Sequence, residues 1–172
     1  MDEMTLKQKA ARIKMLILDV DGTLTDGGVY IDGNGVQSKK FNIRDGMGIT
    51  LLEETGIIVG IISHSRSQTI LDERARMLGI QYVYSGKESK LEVLNRWMEE
   101  LSFTAEQIAY IGDDVNDIEL LETAGLSACP SDAHFKVLQV VDIVLQREGG
   151  KGCVREFIDR FLLVPLPPER GN

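Results

Sequence analysis

Two acidic clusters are the groups best able to do chemistry in this 172-residue chain. The first is Asp19-Val20-Asp21-Gly22-Thr23, and the second is Gly112-Asp113-Asp114-Val115-Asn116-Asp117. Each has an ordinary explanation: Asp and Gly form turns, while Asp and Asn cap helix N-termini and complement the dipole. Turns and caps account for some of these side chains. They do not account for two acidic clusters placed at the ends of apolar runs. Gathering carboxylates is unfavourable unless a hard cation neutralises them, and all-oxygen ligation favours Mg²⁺ over zinc. Beside such an ion one carboxylate can act as a nucleophile and another as an acid and base.

The apolar runs indicate what positions these groups. Ile13–Leu18, Ile57–Ile62 and Ile108–Ile111 are short and almost wholly apolar, as suits strands buried on both faces. They end at Asp19, Ser63 and Asp113 or just before it. Ile80–Tyr84 and Val140–Leu145 are further strand candidates. Helical patterns are expected over 5–14, 47–54, 68–78, 90–101, 117–124 and 154–163, several closed by glycine (Gly56, Gly79, Gly125). Gly27–Ile31 and Val36–Ile43 flank Asp32-Gly33-Asn34-Gly35 and read as a β-hairpin. Strands alternating with helices predict an α/β fold, a Rossmann-like three-layer sandwich with a mainly parallel sheet and a projecting hairpin. In such sheets ligands bind at the carboxyl ends of the strands, where Asp19, Ser63 and Asp113 would converge. With no repeat and no linker, residues 1–172 are expected to form a single domain, with the hairpin at about 27–41 and a tail at about 164–172.

Composition narrows the function classes. The chain is 43% apolar and 27% charged with net charge −8, so no general field attracts nucleic acid or an anionic membrane. An anionic substrate then needs local help from a metal, a lysine or backbone N–H groups. No apolar run approaches a membrane span, and the first residues lack a signal-peptide core, so a cytoplasmic protein is expected. Cys129 and Cys153 form no C-x-x-C unit and read as small buried residues.

In order and spacing, Asp19-Val20-Asp21-Gly22-Thr23-Leu24-Thr25, Ser63, Lys90 and Gly112-Asp113-Asp114-x-x-Asp117 resemble the four motifs of the haloacid dehalogenase superfamily of phosphatases. The resemblance implies that Asp19 is the nucleophile that becomes an aspartyl phosphate, and Asp21 the acid/base. It implies Mg²⁺ on the carboxylates of Asp19 and Asp113 and the backbone carbonyl of Asp21. Asp114 and Asp117 would support that shell or orient Lys90. Lys90 would pair with phosphate and nucleophile, and a lysine at a helix start suits an anion bound in front of it. Ser63 matches the phosphate-binding hydroxyl, but Ser63-His64-Ser65-Arg66-Ser67 departs from the family's usual Thr/Ser-Gly and looks one residue longer. Ser65 is therefore an alternative, and His64 a possible second base.

Capped superfamily members insert a domain after the first motif or between the second and third. Only a hairpin follows the first motif here, and the span from Ser63 to Lys90 is too short for a domain. No cap is expected, so a neighbouring subunit would have to shield the site. The stretches 18–27, Asn42–Gly48 and Gly149–Glu156 resemble the capless 3-deoxy-D-manno-octulosonate 8-phosphate phosphatases. That family implies a homotetramer, a sugar acid phosphate substrate and a place in lipopolysaccharide biosynthesis. Arg44, Arg66 and Lys151 are candidate partners for the substrate's carboxylate, because Arg offers it a bidentate fork. Phosphatases of nine-carbon keto-deoxy sugar acids are near alternatives. So is a non-catalytic module like the carboxy-terminal domain of acylneuraminate cytidylyltransferases, although that domain lacks a complete set of catalytic acids.

Overall fold

A computed structural model describes residues 2–65 and 68–163. Helix α1 (Glu3–Ala10) starts at Asp2, whose carboxylate accepts the Thr5 N–H at 2.8 Å. Strand β1 (Met15–Leu18) is wholly buried and leads into a wide turn, Val20–Leu24. The hairpin strands are β2 (Tyr30–Ile31) and β3 (Gln37–Ser38). Then come α2 (Ile43–Glu53), β4 (Ile58–Ser63), α3 (Gln68–Leu78), β5 (Tyr82–Ser85) and α4 (Lys90–Leu101). The last part holds β6 (Ile108–Ile111), α5 (Ile118–Thr123), β7 (Leu126–Cys129), β8 (Ile143–Val144) and α6 (Cys153–Phe157).

Several elements differ from what the sequence suggested, helix α2 and strand β7 most of all. Helix α2 begins at Ile43 rather than Met47, because the Asn42 side chain accepts the Arg44 N–H at 2.8 Å and caps it. Its first residue, Ile43, is 84% exposed, so the first turn carries no amphipathic signal. Strand β7 was not expected. Leu-Ser-Ala-Cys holds no β-branched residue, and pairing with β6 and β8 makes it a strand.

Six strands form one parallel sheet in the order β5-β4-β1-β6-β7-β8. The chain runs outward from β1 through β4 to β5, then returns to β6 on the other side. The strand order therefore reverses between β1 and β6, the place where α/β sheets bind ligands. Alternate strand residues feed two cores. Leu16, Leu18, Ile61 and Ile111 pack with Leu52 of α2, Leu71 of α3 and Phe157 of α6. Met15, Ile17, Ile62 and Tyr110 pack with Trp97 of α4 and Leu120 of α5 on the opposite face. Each such fully buried side chain contributes about 1.5–3 kcal/mol, so the strand ends at the switch point are held rigidly from both sides. Cys129 and Cys153 are free thiols inside these cores, and burial pushes both thiols up.

The hairpin stands apart from the main sheet. Tyr30 pairs with Ser38 and Ile31 with Gln37, and a lone bridge joins Thr25 to Phe41 at its root. Its paired strands are two residues each, shorter than the arms the sequence suggested. Among the described residues no domain is inserted after β1 or between β4 and α4.

Candidate active site

Strand β1 delivers Asp19 to the switch point, where the Asp19 N–H still donates to the Ile111 carbonyl of β6 at 3.0 Å. The chain then turns sharply. Asp21 leaves helical geometry (φ −83°, ψ 107°) and Gly22 takes φ +95°, in the left-handed region that glycine enters without strain. A side chain on Gly22 would also collide with the Asp113 carboxylate. The turn is braced from the loop before α6, where the Gly150 N–H donates to the Thr23 carbonyl at 2.9 Å. Gly149 lies against the Gly22 carbonyl with no room for a Cβ.

Strand β6 ends two residues before Asp113, and the short 3₁₀ turn Val115–Asp117 brings Asp117 back over it. Helix α4 starts with Lys90, whose side chain is only 1% exposed. Its ammonium donates to Asp19 at 2.6 Å and to Asp117 at 2.5 Å. Asp117 is occupied on both oxygens. Oδ1 also accepts the Tyr110 hydroxyl at 2.6 Å, and Oδ2 accepts the N–H groups of Asp113 and Asp114. Asp113 accepts the Thr23 hydroxyl at 3.0 Å.

Carboxylate oxygens of Asp19, Asp113 and Asp117 lie within 4.8 Å of one another. This cluster has three carboxylates and one ammonium, so it is short of positive charge. Burial, outweighing the nearby Lys90, pushes the Asp19 carboxyl up to about 7. Burial and the Asp19 and Asp117 charges push Asp113 up to about 8. Burial works against the Lys90 ammonium, yet Asp19 and Asp117 together hold it firmly protonated. The donor set fits Mg²⁺: a hard cation would relieve the repulsion, and Asp19 and Asp113 each have a second oxygen to offer. Asp117 is already engaged, which leaves it to orient Lys90 and the β6 turn.

The remaining expected residues are spread around this cluster or apart from it. Ser63 is buried at the end of β4, its hydroxyl accepting the Ser65 N–H at 3.0 Å. His64 Nε2 lies 3.0 Å from the Glu88 carbonyl; because a carbonyl only accepts, that nitrogen carries the proton in this contact. Lys151 is exposed and paired with Glu148. Arg44 is also exposed and lines a cavity of about 550 Å³ with Arg147, Arg155, Asp159 and Arg160, and Asp19, Asp21, Asp113 and Asp117 are not among its walls. Arg66 lies outside the described residues. Asp21 does not join the other carboxylates through its side chain. Lys39 of the hairpin holds it, donating to its two oxygens at 2.5 and 2.6 Å and to the Ser65 hydroxyl at 2.6 Å. Sequence reasoning missed Lys39, one of two adjacent lysines in a polar arm, because nothing local separates it from Lys40, which pairs with Asp26 at the surface.

Residues 77–157 match the family described as haloacid dehalogenase-like hydrolase. The chain is 41% identical over 155 residues to the 3-deoxy-D-manno-octulosonate 8-phosphate phosphatase KdsC of Escherichia coli K12, covering 90% of this chain and 82% of that one. The crystal structure of the Yersinia pestis 3-deoxy-D-manno-octulosonate 8-phosphate phosphatase superposes with a TM-score of 0.87 at 41% identity, covering 90% of this chain and 83% of that one. The Moraxella catarrhalis phosphatase, solved with magnesium, phosphate and the 3-deoxy-D-manno-octulosonate (KDO) molecule, superposes with a TM-score of 0.88 at 34% identity, covering 92% and 90%. This chain belongs to the 3-deoxy-D-manno-octulosonate 8-phosphate phosphatase family. It is a phosphate monoester hydrolase on a capless α/β fold.

Proposed function

We propose that this enzyme hydrolyses 3-deoxy-D-manno-octulosonate 8-phosphate through an aspartyl phosphate on Asp19. The observation that carries the reading is the buried Lys90 bridging Asp19 and Asp117 beside Asp113. A carboxylate oxygen of Asp19 attacks phosphorus, and the bond from phosphorus to the sugar oxygen breaks. Asp21, as the acid, gives that leaving oxygen its proton. Asp21 then takes a proton from water, whose oxygen attacks phosphorus and releases inorganic phosphate from Asp19. Lys90 holds Asp19 in place and faces the transferring phosphate, with Ser63 or Ser65 donating a hydroxyl to it. The carboxylates of Asp19 and Asp113 and the backbone carbonyl of Asp21 would hold Mg²⁺, which would supply positive charge against the anionic phosphate.

The substrate carboxylate needs a cation. Lys151 suits it, because its exposed pair with Glu148 is worth only about 0–1 kcal/mol and is easily exchanged. Arg66 is a second candidate. Arg44, whose cavity holds none of Asp19, Asp21, Asp113 and Asp117, would serve a neighbouring subunit's site. We read the assembly as a homotetramer in the cytoplasm. Val29, Tyr30, Ile31 and Val36 of the hairpin are 48–66% exposed, and a two-stranded ribbon with such a surface is only marginally stable alone. Packed on a neighbour, it would shield that subunit's site. No helix among the described residues is long and apolar enough to cross a membrane.

A second reading, a nine-carbon keto-deoxy sugar acid 9-phosphate, is favoured by the Ser63-His64-Ser65 departure from the family's usual loop. The test is Mg²⁺-dependent phosphate release from both sugar phosphates. The eight-carbon substrate is expected to give the higher kcat/KM, with activity abolished in Asp19→Asn. A preference for the nine-carbon substrate would support the second reading. Equal, negligible turnover by wild type and Asp19→Asn on both would reduce the chain to a non-catalytic module.

A further inference from the structure

We infer that Lys39 is a positioning residue for the acid/base group, so that the hairpin root forms part of the phosphatase machinery. The inference rests on the assignment of Asp21 as acid/base made above. Lys39 follows β3 directly, and its side chain is only 5% exposed although it belongs to a hairpin whose strands are open to solvent. A lysine ammonium has three protons to donate. All three have acceptors here: Asp21 Oδ1 at 2.5 Å, Asp21 Oδ2 at 2.6 Å and Ser65 Oγ at 2.6 Å. One side chain thus ties together the turn after β1, the loop after β4 and the hairpin.

The consequence for Asp21 is geometric. Its carboxylate follows a turn with a left-handed glycine on one side and is 41% exposed, so its own surroundings do little to fix its rotamer. A charge-assisted grip on both oxygens fixes it, and holds it apart from Asp19, which Lys90 grips separately. With its donors so engaged, Lys39 has none to spare for the phosphate. It acts through Asp21 and the Ser65 loop rather than on the transferring group. The two roots of the hairpin are anchored close by: Thr25 bridges Phe41, and Lys40 pairs with Asp26. The root of the hairpin is thus tied to the turn after β1, while the strand residues of its tip are exposed.

The test uses leaving groups of different proton demand. A sugar alkoxide leaves only with a proton from Asp21, whereas p-nitrophenolate leaves without one. Wild type, Lys39→Met, Lys39→Arg and Asp21→Asn are compared on 3-deoxy-D-manno-octulosonate 8-phosphate and p-nitrophenyl phosphate at saturating Mg²⁺. Inhibition by inorganic phosphate is measured alongside. Lys39→Met is expected to lose kcat/KM on the sugar phosphate by about 10²-fold, within the range for general acid catalysis. Its loss on the aryl phosphate should be several-fold smaller, its inhibition by phosphate unchanged, and Lys39→Arg should recover part of the loss. Equal losses on the two substrates, or weakened inhibition by phosphate, would overturn the inference and make Lys39 a phosphate-binding group. If Asp21→Asn itself loses equally on both substrates, the acid/base assignment fails, and the role of Lys39 fails with it. A Lys39→Met result that differs from a selective Asp21→Asn sinks the inference about Lys39 alone.

Discussion

Two lysines each hold one carboxylate of the Asp19-x-Asp21 pair, in opposite surroundings. Lys90 is buried between α4 and β6 and meets Asp19 and Asp117, both nearly as buried as itself. Lys39 is buried as well, but it comes from the hairpin, and its partner Asp21 is 41% exposed. The first pair is built into the sheet and cannot move without opening the core. The second is carried by a ribbon that the Thr25–Phe41 bridge joins to the main fold at its root. The surroundings of Asp19, the proposed nucleophile, therefore come with the fold, whereas those of Asp21, the proposed acid/base, depend on where the hairpin sits.

Four changes would break or sharpen this contrast, and the largest effect is on chemistry. Asp19→Asn removes the nucleophile and should lower phosphate release on the order of 10⁴-fold or more, with the fold intact by circular dichroism. Residual turnover within tenfold of wild type would place the nucleophile elsewhere. Lys90→Met comes next, because it strands two buried carboxylates; such losses cost about 3–5 kcal/mol. Thermal or urea unfolding should report that, while Lys39→Met, with its partly exposed partner, should cost no more than about 1 kcal/mol. Equal costs would erase the distinction between a built-in and a carried-in pair.

The third change is in pH and metal. Asp19 at about 7 and Asp113 at about 8 keep protons in the folded chain that the unfolded chain has already released above its ordinary value of 3.8. Folded protein binds more protons than unfolded across that window, so stability falls as pH rises through it. Metal-free protein should melt at progressively lower temperature from about pH 5 to about pH 8.5. The gain in melting temperature on adding Mg²⁺ should be larger at the alkaline end. A Mg²⁺ increment that shrinks with rising pH would contradict the charge deficit assigned to this cluster. The smallest effect belongs to Tyr110→Phe, which removes one hydrogen bond to Asp117. About 0.5–1.5 kcal/mol of stability should be lost, with kcat reduced less than by any change at Lys90.

What the sequence made legible follows the same division. Asp19 and Asp113 stand where apolar runs end, and Lys90 opens a helix with a clear apolar stripe; local patterns expose all three. Their meeting at the β1–β6 switch point follows from a parallel α/β order, which alternating strands and helices already imply. Lys39 could not be read this way. Its partners lie 18 and 26 residues away, and only the path of the hairpin brings them together. The full role of Asp117 was hidden for a related reason: its contact with Tyr110 needs the turn after β6 to fold back, and its contact with Lys90 exists only once α4 packs beside β6. Arg44 is the converse case: a family-like stretch drew attention to a side chain that lines a separate cavity within its own chain.

The central claim is that phosphate passes through Asp19. The direct test is to mix the Asp21→Asn variant, in which breakdown of the acyl phosphate is slowed, with p-nitrophenyl phosphate, whose leaving group needs no proton from Asp21, and Mg²⁺. The mixture is quenched in acid, and the peptides are mapped by mass spectrometry. The account predicts a phosphoryl group on the peptide containing Asp19 and none when Asp19 is also replaced by Asn. A phosphoryl group on any other residue, or none anywhere while labelled phosphate is still released in that first turnover, would contradict it.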